Sequence, residues 1–218
     1  MNLKYTTVIF DLDGTILNTL DDLAASVNFA LERCGYPLRT TDEVRQFVGN
    51  GIGKLMERSA PAGTGKEELA NFHRVFTDHY KVHCADKTCP YDGIKELIVK
   101  LRSLGCKTAV VSNKADYAVK SLCKDYFPDM LDVAIGEREG IRRKPCPDSV
   151  NEVMELLGAD SATTLYVGDS DVDVETAANA GVDCAAVTWG FRSREFLVQH
   201  GAVTIADSVD ELFEIIVG

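Results

Sequence analysis

The chain has 218 residues, 45% of them apolar, and carries a formal net charge of −11 at pH 7, which fits one large domain or one domain with a smaller insert. Such acidity excludes the basic surfaces that nucleic acids and anionic membranes reward, so an anionic substrate needs positive charge supplied locally, by a metal or by a few well-placed Lys and Arg. The expected partner is a small molecule, with no nucleic acid and no membrane, and the expected assembly is a monomer or homodimer. In chain order, residues 5–10 (YTTVIF) are β-branched and aromatic and predict a buried strand ending at Asp11. Residues 20–82 then show helical patterns only, at 21–33, at 41–47 with Thr41 as the cap, at 51–58 and at 67–82. Short apolar runs predict further strands at 107–111, 131–135, 164–167, 183–187 and 202–205. Helical periodicity fills the spaces, marked by Ile94, Leu97, Ile98 and Leu101 and by Val150, Val153, Met154 and Leu157. Gly105, Gly158, Gly181 and Gly201 each precede a strand, as helix C-caps do.

This alternation predicts an α/β fold: a Rossmann-like, doubly wound parallel sheet core (1–16 and 85–218) with an inserted α-helical cap (17–84). In such sheets ligands bind at the carboxyl ends of the strands, so the insert after the first strand reads as a lid. The seven cysteines are scattered, odd in number and without a CxxC pair, which predicts free thiols in a reducing compartment. With no signal peptide legible and no apolar stretch of transmembrane length, the expected location is the cytoplasm.

Four strand ends carry polar motifs. The first is Asp11-Leu12-Asp13-Gly14-Thr15. Residues i and i+2 share a side of a strand, so two carboxylates converge there, which is costly unless a cation lies between them. Mg²⁺ is hard, prefers oxygen and is commonly held by one or two carboxylates. The second is Ser112-Asn113-Lys114, whose hydroxyl and amide can either bond a phosphoryl oxygen or cap a helix. Third comes Lys144, in Arg143-Lys144-Pro145-Cys146-Pro147-Asp148, where two prolines fix a loop and the Lys either neutralises phosphate charge or faces solvent. The fourth is Gly168-Asp169-Ser170-Asp171-Val172-Asp173; Asp169 is the best metal ligand, and Ser170 or Asp171 can cap the next helix. An EF-hand loop is excluded, since its sixth and twelfth positions would fall on Val174 and Ala180 instead of Gly and Glu.

Together these motifs resemble the haloacid dehalogenase superfamily of phosphohydrolases over nearly the whole chain. The resemblance implies that Asp11 is a nucleophile that becomes an aspartyl phosphate, and that Asp13 is the acid and base. It implies that Ser112 and Lys144 bind the phosphoryl group, with Thr15, Asn113 and Lys114 beside the substrate. Mg²⁺ would be held by the Asp11 carboxylate, the Asp13 carbonyl and Asp169, while Asp173 supports Lys144 or the outer metal shell.

Within the insert, Val48-Gly49-Asn50-Gly51 followed by Leu55-Met56-Glu57-Arg58 is similar to bacterial phosphoglycolate phosphatases, as is the Ser112-Asn113-Lys114 motif. That similarity implies that the carboxylate of 2-phosphoglycolate meets Arg45 or Lys54 and the backbone of Gly49, Asn50 and Gly51; otherwise Arg45 and Lys54 face solvent. A P-loop is excluded by spacing. Pyrophosphatase, sugar-phosphate phosphatase and phosphomutase share the same core residues, and a different class, an inactive phosphometabolite binder, would keep them without turnover. A receiver-type phospho-switch is shorter and lacks the late acidic motif. His73, His79, His83, Cys84 and Cys89 lie close in sequence, but no second spaced pair accompanies them, so a solvated helix face is expected and no zinc. Trp189, Phe191 and Arg192 follow the strand at 183–187 and either border the site or serve core and surface.

Overall fold

A computed structural model describes residues 3–218. The strands, in chain order, are Thr7–Phe10 (β1), Leu17–Asn18 (β2), Cys89–Pro90 (β3), Lys107–Ala115 (β4), Val133–Glu137 (β5), Thr164–Gly168 (β6), Asp183–Val187 (β7) and Thr204–Ala206 (β8). The helices are Leu20–Arg33 (α1), Thr41–Phe47 (α2), Gly51–Ser59 (α3), Lys66–His83 (α4), Ile94–Ser103 (α5), Asp116–Tyr126 (α6), Asp148–Leu157 (α7), Asp171–Ala180 (α8), Arg194–Gln199 (α9) and Val209–Val217 (α10).

Six strands form one sheet in the order β5-β4-β1-β6-β7-β8, and each neighbouring pair is parallel. This is the expected Rossmann-like α/β core. Alternation along each strand sends apolar side chains to both faces. Val8, Phe10, Val110, Leu165, Val167, Ala185 and Val187 enter one core cluster, and Ile9, Ala109, Val111 and Tyr166 enter the other. β1 is central, so its carboxyl end, where Asp11 follows, lies between those of β4 and β6.

The chain divides into two compact units, one comprising the residues up to Leu17 together with Pro90–Gly218, and the other Asn18–Cys89. The helical unit was expected at 17–84; residues 1 and 2 of the expected core lie outside the described residues. Residues 85–89 join the helical unit because the buried Asp22 carboxylate on α1 accepts bonds from the backbone N–H groups of Lys87 and Thr88 and from the Thr88 hydroxyl. In that unit α1 packs on α4, and Val27, Leu31, Phe72, Phe76 and Tyr80 are buried. β2 and β3, where the chain passes from one unit to the other, pair as a separate two-stranded sheet.

Several element ends differ from expectation. β5 begins at Val133, not residue 131, because the Asp132 side chain accepts from Thr108 N and from Arg102 instead of continuing a strand. The cap of α2 is Thr40, not Thr41: its hydroxyl accepts from Glu43 N while the Glu43 carboxylate accepts from Thr40 N, a reciprocal capping box. β4 runs on to Ala115, beyond the expected residue 111, with a register shift against β5 between Val111 and Ala115. Gly158 and Gly181 cap α7 and α8 in the left-handed conformation.

Candidate active site

At the end of β1, Asp11 N donates to Val167 O (2.8 Å). That bond extends the β1–β6 ladder one residue beyond Phe10 and fixes the Asp11 backbone. The Asp11 side chain is buried. Its Oδ1 lies 2.8 Å from Lys144 Nζ, an ion pair, yet no donor meets this oxygen along a hydrogen-bonding direction. Lys144 is buried as well, contrary to a solvated lysine before a helix, and its ammonium is also 2.8 Å from Asp173 Oδ1 and 3.0 Å from the Tyr166 hydroxyl. Asp173 is anchored in turn: its Oδ2 accepts from Ser170 N and the Ser170 hydroxyl. Ser170 is therefore the N-cap of α8, and both Asp173 oxygens are engaged.

Asp169 follows β6 and is buried. Its Oδ1 accepts from the Thr15 hydroxyl at 3.2 Å, and its Oδ2 from Phe191 N at 2.6 Å. Gly14 turns at φ 88°, and a Cβ there would fall 2.5 Å from Asp169 Oδ2. Gly190 is as tightly placed, since a Cβ on it would lie 2.3 Å from Gly14 O and 2.4 Å from Asp169 Cβ. Trp189 Nε1 donates to Thr15 O. The 189–191 segment thus locks the first and fourth motifs together. Of the residues left open between site and core, Trp189 and Phe191 both touch the site framework, Phe191 through its backbone. What the sequence did not single out is Gly190, legible only as a glycine directly after a strand, and Tyr166, hidden inside an ordinary apolar run.

The second motif lies within β4, so Ser112 and Asn113 do not cap a helix; α6 starts after Ala115 without a side-chain cap. Ser112 Oγ accepts from Lys114 N, and Asn113 Nδ2 donates to the Lys144 carbonyl. Lys114 Nζ pairs with the Asp13 carboxylate, 2.9 Å to Oδ1 and 3.3 Å to Oδ2. The carboxylates of Asp11 and Asp13 accordingly face different lysines: Asp13 points to the buried Lys114, not to the Asp11 cluster.

Asp11, Asp169 and Asp173 present carboxylate oxygens within 4.8 Å of one another. Of these three buried carboxylates, two, Asp11 and Asp173, pair with the Lys144 ammonium. Burial pushes the Asp11 carboxyl up to about 7, with Lys144 opposing and Asp173 adding to the rise. Burial, then Asp173 and Asp11, holds Asp169 well above the usual carboxylate range. For Lys144 burial acts downward, but Asp11 and Asp173 outweigh it and keep the ammonium charged. A hard cation fits this donor set: it would meet the undonated Asp11 Oδ1, satisfy the oxygen-rich cluster and remove the excess negative charge. Asp11 and Asp169 are the better-placed ligands: each Asp169 oxygen accepts one neutral donor, Thr15 or Phe191 N, whereas Asp173 is tied to the Lys144 ammonium as well as to Ser170 and Tyr166.

In the helical unit Arg45 pairs with Asp42 at 3.1 Å and Lys54 with Glu57 at 2.5 Å, all four being exposed. Asn50 Oδ1 accepts from Arg58 Nη2, and Arg58 Nη1 donates to Phe47 O. Arg58 therefore ties down the turn that contains Gly49 (φ 122°) and Gly51 (φ 80°). His79 bonds Ser26 and stacks between Phe29 and His83, while His83 pairs with Asp86.

The ends of adjoining strands in this parallel α/β sheet thus bring three buried acids together beside a buried lysine. The sequence model of the family described as haloacid dehalogenase-like hydrolase matches residues 8–187, and the chain belongs to that family. It is a phosphatase of the haloacid dehalogenase superfamily. The chain is 31% identical over 220 residues to the phosphoglycolate phosphatase of Vibrio parahaemolyticus, covering 96% of this chain and 95% of the relative. It is 29% identical over 216 residues to the N-acetylmuramic acid 6-phosphate phosphatase of Pseudomonas aeruginosa, covering 98% and 96%. A solved structure from Lactobacillus delbrueckii subsp. bulgaricus, assigned as a phosphoglycolate phosphatase, superposes with a TM-score of 0.95 at 38% identity and 99% coverage of both chains.

Proposed function

We propose that the protein is a cytoplasmic, Mg²⁺-dependent phosphomonoester hydrolase that acts through an aspartyl phosphate on Asp11, with 2-phosphoglycolate as its substrate. The observation that carries the mechanism is the Asp11 carboxylate, held on the backbone by Val167 and facing Lys144, with one oxygen that no donor meets. A carboxylate is a competent covalent nucleophile for phosphoryl transfer. One Asp11 oxygen forms a bond to phosphorus as the bond from phosphorus to the ester oxygen breaks, and Asp13 delivers a proton to the departing alcohol. A water then attacks the phosphorus of the acyl phosphate, Asp13 takes its proton, and Asp11 and phosphate are released. Lys144 and the Ser112 hydroxyl receive the equatorial oxygens, where charge develops. Asp11 and Asp169 would hold Mg²⁺, which would supply the remaining positive charge and help orient the phosphoryl group. Thr15 and the Phe191 N–H hold Asp169 for that task.

The substrate assignment rests on the relatives bearing that name and on the turn of Gly49, Asn50 and Gly51. In it, backbone N–H groups, with Arg45 or Lys54, would meet the carboxylate of the substrate. A sugar phosphate is the second reading, since a relative matched over 96% of its length is named N-acetylmuramic acid 6-phosphate phosphatase. Phosphate release from 2-phosphoglycolate, N-acetylmuramic acid 6-phosphate and pyrophosphate, each with and without Mg²⁺, separates the cases. Selective turnover of phosphoglycolate, lost by roughly 10³-fold or more in Asp11→Asn, supports the proposal. Preference for the sugar phosphate with the same loss keeps the mechanism and overturns the substrate. No turnover of any ester points to a binder.

A further inference from the structure

We propose that Tyr166 is a positioning residue for the phosphoryl-binding Lys144, an inference that rests on the phosphatase reading above. Tyr166 is fully buried in β6 and pairs with Ile9 of β1 in the sheet register. Its side chain leaves on the Ile9 face and reaches across β1 to β4, where its hydroxyl is 3.2 Å from Val111 O. The same hydroxyl accepts from Lys144 Nζ at 3.0 Å and lies 3.3 Å from Asp173 Oδ1.

An ammonium has three N–H bonds and no lone pair. Two of those of Lys144 go to Asp173 and Tyr166, and the third remains for the side of Asp11, whose Oδ1 is an ion-pair partner at 2.8 Å without accepting a hydrogen bond. The Asp173 bond alone would leave the ammonium free to turn about that one N–H···O direction. The Tyr166 oxygen fixes that remaining freedom without adding charge, as a third carboxylate would. Its own anchor, the Val111 carbonyl, directly precedes Ser112 and sits where β4 begins its register shift against β5. One hydroxyl therefore sets Lys144 relative to the strand end that carries Ser112, the other proposed phosphoryl ligand. Preorganised donors of this kind act on the transition state more than on substrate binding. The Tyr166 ring lies 5.6 Å from Lys144 Nζ, so replacing Tyr by Phe keeps the ring and removes only the acceptor.

The test compares wild type, Tyr166→Phe and the volume-filling Tyr166→Met, with p-nitrophenyl phosphate and 2-phosphoglycolate as substrates. Thermal melts, and the nitrogen-15 ammonium resonance of Lys144 assigned by its loss in Lys144→Met, are recorded on the same proteins. The expected result is a fall in kcat of about tenfold, the value of one hydrogen bond to a charged group, with KM within about twofold. The Lys144 resonance shifts and broadens as its protons exchange faster. A lower melting temperature with kcat unchanged well below it would make Tyr166 a packing residue and overturn the proposal, as would an unmoved resonance. If one variant does not fold, the other carries the comparison. If wild type turns over neither ester, the phosphatase reading fails by itself, and the ammonium resonance alone decides whether Tyr166 positions Lys144.

Discussion

Lys144 occupies the one place in the cluster where a single deletion changes both chemistry and folding. Its ammonium is buried against two carboxylates, and removing one partner of a buried ion pair leaves the other uncompensated. Lys144→Ala is expected to cost roughly 3–5 kcal/mol in the metal-free protein, read from urea unfolding at about pH 8, and to abolish turnover. A surface lysine such as Lys54, half-exposed beside Glu57, is expected to change stability by less than about 1 kcal/mol when replaced. Gly190 gives a different prediction. An added Cβ meets backbone and the Asp169 stem at contact distances no side-chain movement relieves, so Gly190→Ala must shift the 189–191 segment and withdraw the Phe191 N–H from Asp169. We expect Mg²⁺ affinity to fall by roughly 10- to 100-fold, as for other outer partners of metal ligands, seen in a Mg²⁺ titration of activity. These residues differ in how well the sequence announces them. Asp11, Lys144 and Asp169 sit in motifs whose order along the chain has few other meanings, whereas Gly190 and Tyr166 matter through contacts with residues far away in sequence.

Elements were legible where local chemistry decides them. Strand β1 and the helices α2 and α3 follow from β-branched runs, caps and periodicity, all properties of neighbouring residues. The continuation of β4 to Ala115 was not legible, because polar Ser112, Asn113 and Lys114 interrupt the apolar signal; they are buried in the fold, where Lys114 pairs with Asp13 and Asn113 bonds the Lys144 carbonyl. The end of the helical unit was likewise not legible: residues 85–88 read as the start of the core's second segment, but Asp22, sixty-six residues before Thr88, binds Lys87 and Thr88. Asp22→Ala would strand the N–H donors of Lys87 and Thr88, while the Thr88 hydroxyl keeps the Cys84 carbonyl. The expected cost is about 2–3 kcal/mol, measured as earlier onset of unfolding in urea, with protease cleavage near Lys87 as the local readout. Asp22→Asn keeps an acceptor and is expected to lose less.

For the whole molecule the dominant quantity is negative charge, −11 overall, concentrated locally by three buried acids. Asp11 has its carboxyl raised from 3.8 to about 7 in the metal-free protein. The folded state then binds more protons than the unfolded state between those values, so this group's contribution to stability is greatest below about pH 4 and is lost as pH rises to about 7. Asp169 acts in the same direction. A divalent cation selects the ionised form, and protons compete with it. Mg²⁺ is therefore expected to raise the melting temperature more at about pH 8 than at about pH 5, a comparison that calorimetry with and without chelator makes directly. Equal increments at the two pH values would remove Asp11 and Asp169 as the ligands. The fold class was legible at this scale because alternating strands and helices allow few topologies; substrate choice was not, because Arg45 and Lys54 carry no pattern separating a ligand from an exposed ion pair.

The paired strands β2 and β3 set the chain's exit from the sheet unit beside its return. A segment whose two ends are neighbours closes on itself and can be exchanged as a unit, because a replacement of any length need only begin and end at the same two points. The helical unit is thus a removable part in the genetic sense: recombination at codons 17 and 90 could trade it without disturbing the strand that presents Asp11.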